Sequence, residues 1–319
     1  MRKWLAKMLG PARRHGLLPS RAASPRGIVS PRAQYSTIYR KAQDGAAGAP
    51  AEFIELQTPM RSLSAWRQWI EDNPWATSPH YVAAMVDSIK RFGLTDPLHG
   101  FALPNEVTID TSNLRESVLF RGINSRCRAV LKLVAEAPLQ RDAAVYAAES
   151  LTPLAAALRN RFPNFVGSEH LPTDSGQRKI PHVRHEDVQA LSFEDSSLDC
   201  YISCEILEHV PSVRAALREA ARTLRGGGLF LATFPFLQLQ QESVVKAVAK
   251  NGAIRHLATP EYHGNPLDQR PSLVFSIPAW DIVDMANAAG FTTVHMVAMS
   301  SRKFGIVADC PIPVMRAWR

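Results

Sequence analysis

Between Cys200 and Val210 the chain reads CYISCEILEHV, which places two cysteines, two glutamates and a histidine within eleven residues. These are the side chains that bind metals, move protons or hold polar ligands. A zinc site of Cys200, Cys204, His209 and one glutamate is conceivable. Its spacing is wrong for one. An extended run alternates faces, so Cys200 and Ile202 point one way and Tyr201 and Ser203 the other. Structural zinc sites use two C-x₂₋₄-C pairs on turns, and the sequence has no second pair. The expectation is therefore no metal. The second reading is a strand that ends near Cys204 and delivers its last residues to a crevice at its carboxyl end.

The elements needed for that reading are present around it. From residue 142 onward, strand and helix patterns alternate. DAAVYAAES, NFVGSEHL, part of VRHEDVQAL, LDCYISC and GGGLFLATFPF read as strands. TPLAAALRNRFP and SVRAALREAARTL read as helices, the second with Val213, Ala216, Leu217, Ala220, Ala221 and Leu224 on one face. AWDIVDMANAAGF is a late helix stopped at Gly290, with TTVHMVAMS and FGIVAD as closing strands, an antiparallel edge pair. This alternation predicts an α/β fold, a doubly wound and mostly parallel sheet covered on both faces. Upstream, helices are expected over 60–74, 78–93 and 123–136, and residues 94–120 read as a small β-rich insert. The domain expectation is a basic arm and linker over 1–59, an accessory helical and small β region over 60–141, and the main domain over 142–319.

Of 319 residues, 46% are hydrophobic and 21% charged, which suits a globular protein with a sizeable core. The formal charge of +8 lies almost wholly in the arm. Residues 1–60 carry a net charge of +7 and the remainder +1. No acid precedes Asp44, and Pro11, Pro19, Pro25 and Pro31 break any long helix. Three readings of the arm stay open: a solvated disordered tail, a contact with an anionic membrane surface through MRKWLAKMLG, or an organelle transit peptide. Four scattered cysteines give no disulfide framework, so a reducing, cytoplasmic setting is expected. A near-neutral body with no basic patch interleaved with aromatics makes nucleic acid an unlikely partner.

The block LSFEDSSLDCYISCEILEHVPSVRAALREAARTLRGGGLFLATFPF (191–236) resembles the class I S-adenosylmethionine-dependent methyltransferases of type 11. The wider resemblance covers about 142–308. It implies S-adenosyl-L-methionine as cofactor. Glu169, followed by His170, takes the place of the acid that binds the ribose diol, and Asp187 that of the acid near the adenine, with Val188 packing by the base. Cys204 and Glu205 line the strand end. The loop after the first strand, VYAAESLTPLAAALR, lacks the usual glycines, and Glu149 stands in it as a partner for the cofactor's amino-acid tail. A narrower resemblance is to a bacterial subgroup of methyltransferase-like proteins that shares NLRES (113–117), GINSRCRA (122–129) and PEYHGNP (260–266). In that subgroup a cysteine-rich, zinc-ribbon-like insert often precedes the domain; here the frame survives without the cysteines.

In PEYHGNP, Glu261, Tyr262 and Asn265 are expected to meet the substrate, and His263 has the acid–base range of a catalytic base. His209 is the other candidate, though a histidine there is often structural. Arg126 and Arg128 are candidates for an anionic substrate group or for plain salt bridges. The expected activity is methylation, on O or N, of a small-molecule or glycan-type acceptor. The alternatives are a catalytically degenerate scaffold of the same fold and a nucleic-acid methyltransferase.

Overall fold

A computed structural model describes residues 55–171, 182–264 and 271–319. The arm through residue 54 and Asn265 lie outside the described residues. The first element is strand β1 (Leu56–Met60). Residues 56–59 are thus not linker but the first part of an edge strand, held by antiparallel pairing of Leu56–Met60 with residues 296–300. Helices α1 (Leu63–Asp72) and α2 (Pro79–Phe92) follow. Ser62 caps the first through its hydroxyl, and Pro79 opens the second at a position where its missing N–H costs nothing. The insert contains the hairpin β2 (Leu94–Asp96) and β3 (Gly100–Ala102), then β4 (Thr108–Ile109), the one-turn α3 (Leu114–Ser117) and β5 (Val118–Leu119). Its core is apolar: Tyr81, Met85 and Ile89 of α2 meet Leu94, Ala102, Leu114 and Val118.

Helix α4 (Ser125–Glu136) leads into the alternating part. This comprises β6 (Val145–Ala147), α5 (Pro153–Arg161), β7 (Val166–Glu169), β8 (Arg184–His185), β9 (Leu198–Cys204), α6 (Val213–Thr223) and β10 (Leu224–Thr233). Short strands β11 (Val244–Val245), β12 (Ala247–Lys250), β13 (Ala253–His256), β14 (Tyr262–His263), β15 (Ser272–Leu273) and β16 (Ser276–Ile277) form the crossing segment. Helix α7 (Asp281–Ala289), β17 (Thr293–Ser300) and β18 (Ile312–Trp318) close the chain.

The eight-stranded sheet runs β1-β17-β18-β10-β9-β6-β7-β8. Strands β6 to β10 are parallel, and β18 is antiparallel to both β10 and β17. The fold is the Rossmann-like, doubly wound sheet of class I methyltransferase type. From β6 the chain winds outward through β7 and β8, then returns to place β9 on the other side. That reversal makes the β6/β9 boundary the switch point, where ligands bind outside the strand carboxyl ends.

Each face of the sheet has its own core. Cys200 and Ile202 of β9 pack with Val145, Ala147, Leu229, Leu231 and helices α4 and α5. Tyr201 packs on the other face with Tyr146, Phe230 and helices α6 and α7. The alternation anticipated for CYISC is therefore realised. Burying side chains of this size contributes about 1.5–3 kcal/mol each, so a one-residue slip of β9 would turn both cores inside out.

The closing pair is corrected. FGIVAD is not a strand; its carbonyls are taken by other partners. Phe304 and Gly305 carbonyls accept from Arg128, and Gly305 also from the Ser125 hydroxyl. The strand is β18, whose Pro311 and Pro313 flank and interrupt IPVMRAW. Prolines argue against a central strand. Pro313 is tolerated because β10 pairs only with Met315–Trp318, so the ladder on that side ends before it.

Candidate active site

The carboxyl ends of β6, β7 and β9 converge on the switch point, and the first two each place a carboxylate there. After β6, Glu149 is half-buried, accepts the Thr152 hydroxyl through Oε2, and has a buried Oε1 with no hydrogen-bond partner among the described residues. Burial pushes its carboxyl up. Thr152 also caps α5 by accepting the Ala155 amide. Next to it, Glu169 at the end of β7 accepts the Ser150 and Leu151 amides through Oε1, at 2.8 and 3.1 Å. The glycine-free loop thus gives its amides to Glu169.

A close approach to that loop is made from the neighbouring strand. A Cβ on Gly167 would sit 2.7 Å from the Glu149 carbonyl oxygen and 3.0 Å from Ser150 Cα. The glycine is on β7, and the loop lies against it.

After β8, Asp187 accepts the Gln189 amide at 2.9 Å, a tight turn that leaves Val188 buried and Asp187 half-buried. His170 is exposed, with Nδ1 3.4 Å from the Glu186 carbonyl oxygen. The neighbouring Glu186 is buried and tied to Ser192 and Arg184, a purely internal role. At the end of β9, Cys204 lies beside Glu149, and burial pushes its thiol far up, which makes it a neutral packing group.

Glu205 is held differently from the role first expected of it. Arg115 grips both its oxygens at 2.7 and 3.1 Å, and Arg126 stands 3.8 Å away. Arg126 also donates to Glu116 and to the Thr233 hydroxyl. Glu116 in turn pairs with Arg115 and accepts from Asn124, which caps α4. NLRES and GINSRCRA are therefore the two halves of one ion-pair network around Glu205. Burial alone would raise the Glu205 carboxyl; Arg115 and Arg126 override it and bring it down to about 2. Arg126 lies at the crevice but is neutralised.

Arg128 is corrected outright. It is fully buried and donates to the carbonyls of Val118, Ile123, Phe304 and Gly305, so it staples the insert to the sheet and meets no substrate. Burial lowers its pKa to about 10, which leaves it charged at neutral pH.

The turn after β9 carries the remaining chemistry. Glu208 is fully buried and neither carboxylate oxygen has a hydrogen bond among the described residues. His209 Nε2 lies 3.6 Å and His263 Nδ1 3.7 Å from Glu208 Oε1. The rings of His209 and His263 meet edge to face at 5.0 Å. His209 Nδ1 is 2.8 Å from the Leu273 carbonyl oxygen. His263 Nε2 is 3.4 Å from Glu261 Oε1, and Lys246 pairs with Glu261. The crossing segment makes this possible, because β14 pairs with β15 in the register Tyr262↔Leu273. Burial pushes the Glu208 carboxyl up, and Glu208 raises His263. Tyr262 is 51% exposed, a side chain open to an incoming molecule. Sequence reasoning singled out His263 and His209 but passed over Glu208; its place three residues after Glu205 in CEILEHV was the available signal. The zinc set considered at first does not assemble: Cys200 is buried in the sheet core and Cys204 faces Glu149.

Residues 154–232 match the family model described as a methyltransferase domain. The methyl donor that goes with this domain is S-adenosylmethionine. The match spans α5 through β10, the elements that carry Glu169, Asp187, Cys204, Glu205, Glu208 and His209. No curated protein matches the chain in sequence. Among solved structures, it is similar to an S-adenosylmethionine-dependent methyltransferase of Methanosarcina mazei, at 14% identity, TM-score 0.33, over 57% of this chain and 94% of that one. A second, from Mesorhizobium loti, shows 14% identity and TM-score 0.35 over 61% and 96%. A third belongs to a complex from Haloferax volcanii with the Trm112 methyltransferase activator, at 16% identity and TM-score 0.38 over 59% and 87%. Likeness at this level carries nothing about chemistry; the fold rests on the strand order.

Proposed function

We propose that the protein is an S-adenosylmethionine-dependent methyltransferase acting on a small-molecule or glycan-type acceptor, at O or N. The observation that carries this is the unsatisfied, buried Oε1 of Glu149 at the switch point. A buried carboxylate oxygen without a donor is costly, and the cofactor's ammonium or a hydroxyl would satisfy it. Glu169 would hold the ribose hydroxyls, with Ser150 and Leu151 fixing its orientation. Asp187 and Val188 would take the adenine. The cofactor supplies the electrophilic methyl group. The chain's part is to position it and exclude water, which accounts for most of the barrier reduction in such displacements.

On the acceptor side, Tyr262 is open to solvent and the Glu208–His209–His263 cluster sits beside the end of β9. The acceptor's nucleophile is activated by this cluster, with His263 as the member expected from the sequence to take a proton. Arg126 serves by keeping Glu205 charged and fixed. A near-neutral body favours a small or neutral acceptor over nucleic acid, and a cytoplasmic setting fits the free cysteines. Among the described residues no helix is long and apolar enough to cross a membrane.

The test is calorimetric titration with S-adenosylmethionine and S-adenosylhomocysteine, beside Glu169→Ala and Asp187→Ala. Micromolar binding is expected, with Glu169→Ala weakening it about 10–100-fold, about 1.4–2.8 kcal/mol. No binding by folded wild-type protein up to about 1 mM would turn the reading to a non-catalytic module of the same fold.

A further inference from the structure

We propose that Glu208, His209 and His263 form a binding site for a divalent transition-metal cation. This rests on the methyltransferase reading only for its use, not for its existence. The geometry starts from hydrogen bonds that fix the two rings. A carbonyl only accepts, so His209 Nδ1 must carry the hydrogen it shares with Leu273 at 2.8 Å. In the neutral ring its Nε2 then presents a lone pair, and that lone pair faces Glu208 at 3.6 Å. His263 is set the same way from the other side. Its Nε2 is turned to the Glu261 carboxylate, so in the neutral ring that keeps its hydrogen there Nδ1 faces Glu208 at 3.7 Å with a lone pair.

Three acceptors therefore converge, and the three atoms lie within 4.8 Å of one another. The separations exceed those of charge-assisted hydrogen bonds, about 2.7–2.9 Å. Glu208 is fully buried and neither carboxylate oxygen has a hydrogen bond among the described residues, so the carboxylate is left short of partners. A single cation among the three atoms would give all three a partner together. Ligands about 2.0–2.2 Å from a tetrahedral zinc are roughly 3.4 Å apart, close to the two distances to Glu208.

The shell behind the ligands is also built. Metal-binding histidines donate their other ring N–H to a carbonyl or a carboxylate; here Leu273 and Glu261 serve, and Lys246 anchors Glu261. Two imidazoles and one carboxylate favour Mn²⁺, Fe²⁺, Co²⁺ or Zn²⁺ over Mg²⁺ or Ca²⁺, which prefer oxygen alone. Three protein ligands leave coordination positions open, as in catalytic rather than structural sites. An acceptor oxygen or nitrogen in one of them would be activated by the cation, and with the cation bound His263 acts as a ligand rather than as the proton acceptor.

The experiment uses the full chain, stripped with chelator and checked for folding by circular dichroism. It is titrated with Co²⁺, which reports its own coordination in the visible spectrum. One equivalent is expected to bind and give ligand-field bands. His209→Gln, His263→Gln and Glu208→Gln should each weaken binding at least about 100-fold, and Glu261→Gln about tenfold. Lack of saturable binding below about 1 mM in folded wild-type protein would overturn the proposal, as would wild-type affinity in both histidine variants. S-adenosylmethionine binding is measured on the same samples. Cation bound without S-adenosylmethionine defeats only the methyltransferase reading. S-adenosylmethionine bound without cation defeats only the cation site.

Discussion

Glu205 and Glu208 lie three residues apart at the end of β9, and the protein treats them in opposite ways. Glu205 is gripped by Arg115 and approached by Arg126, and its charge is balanced. Glu208 is more deeply buried, yet it stands 3.6 and 3.7 Å from two imidazole nitrogens and receives no hydrogen bond among the described residues. The first arrangement stabilises the fold. The second leaves a buried carboxylate without a hydrogen bond, which costs stability and suits the proposed cation. Buried carboxylates are thus not equivalent, and their partners separate structure from function better than their burial does.

The largest expected effect breaks the compensated side. Arg115→Ala leaves Glu205 with Arg126 alone at 3.8 Å and should destabilise the protein by about 2–3 kcal/mol, read from the urea midpoint. If Arg115→Ala is neutral, Glu205 is not structural and the contrast with Glu208 fails.

Acid provides the next test. A carboxyl held down to about 2 contributes stability that is fully present above its unfolded value near 4.5. That contribution is lost as the pH falls from about 4.5 towards 2. Wild-type protein should therefore lose on the order of 1–3 kcal/mol over that range that Glu205→Gln does not lose, measured as paired urea midpoints at each pH.

The smallest effect has the opposite sign. Glu208→Gln removes the unbalanced charge and should raise the stability of chelator-stripped protein by about 1 kcal/mol at pH 7. Thermal unfolding would show it as a higher Tm. A clear loss of stability would mean that Glu208 already has a stabilising partner, and the comparison would need another basis.

Much of this was legible in the chain, for local reasons. The alternation of CYISC assigned Cys200 and Ile202 to one core and Tyr201 to the other. Asn124, Thr152 and Ser212 cap their helices by accepting the amides of Cys127, Ala155 and Ala215, residue types that favour that position. Glu149, Glu169 and Asp187 were placed at strand ends by pattern and resemblance. Three things were hidden. Pro311 and Pro313 masked β18, because whether a proline is tolerated depends on where the neighbouring strand stops. FGIVAD has a strand's composition, but Arg128 and Ser125 claim its carbonyls from far along the chain. The packing of the glycine-free loop was the third, since the Gly167 that permits it belongs to β7.

The sequence by itself determined the periods, the caps and the carboxyl-end placement of CEILEHV. Those follow from backbone sterics and from apolar spacing within a few residues. Only the tertiary structure decided which acids are balanced and which are not. Arg115 reaches Glu205 across 90 residues, and His263 comes to Glu208 through the pairing of β14 with β15. Charge compensation is a matter of distance in space, and spacing along a chain does not encode it.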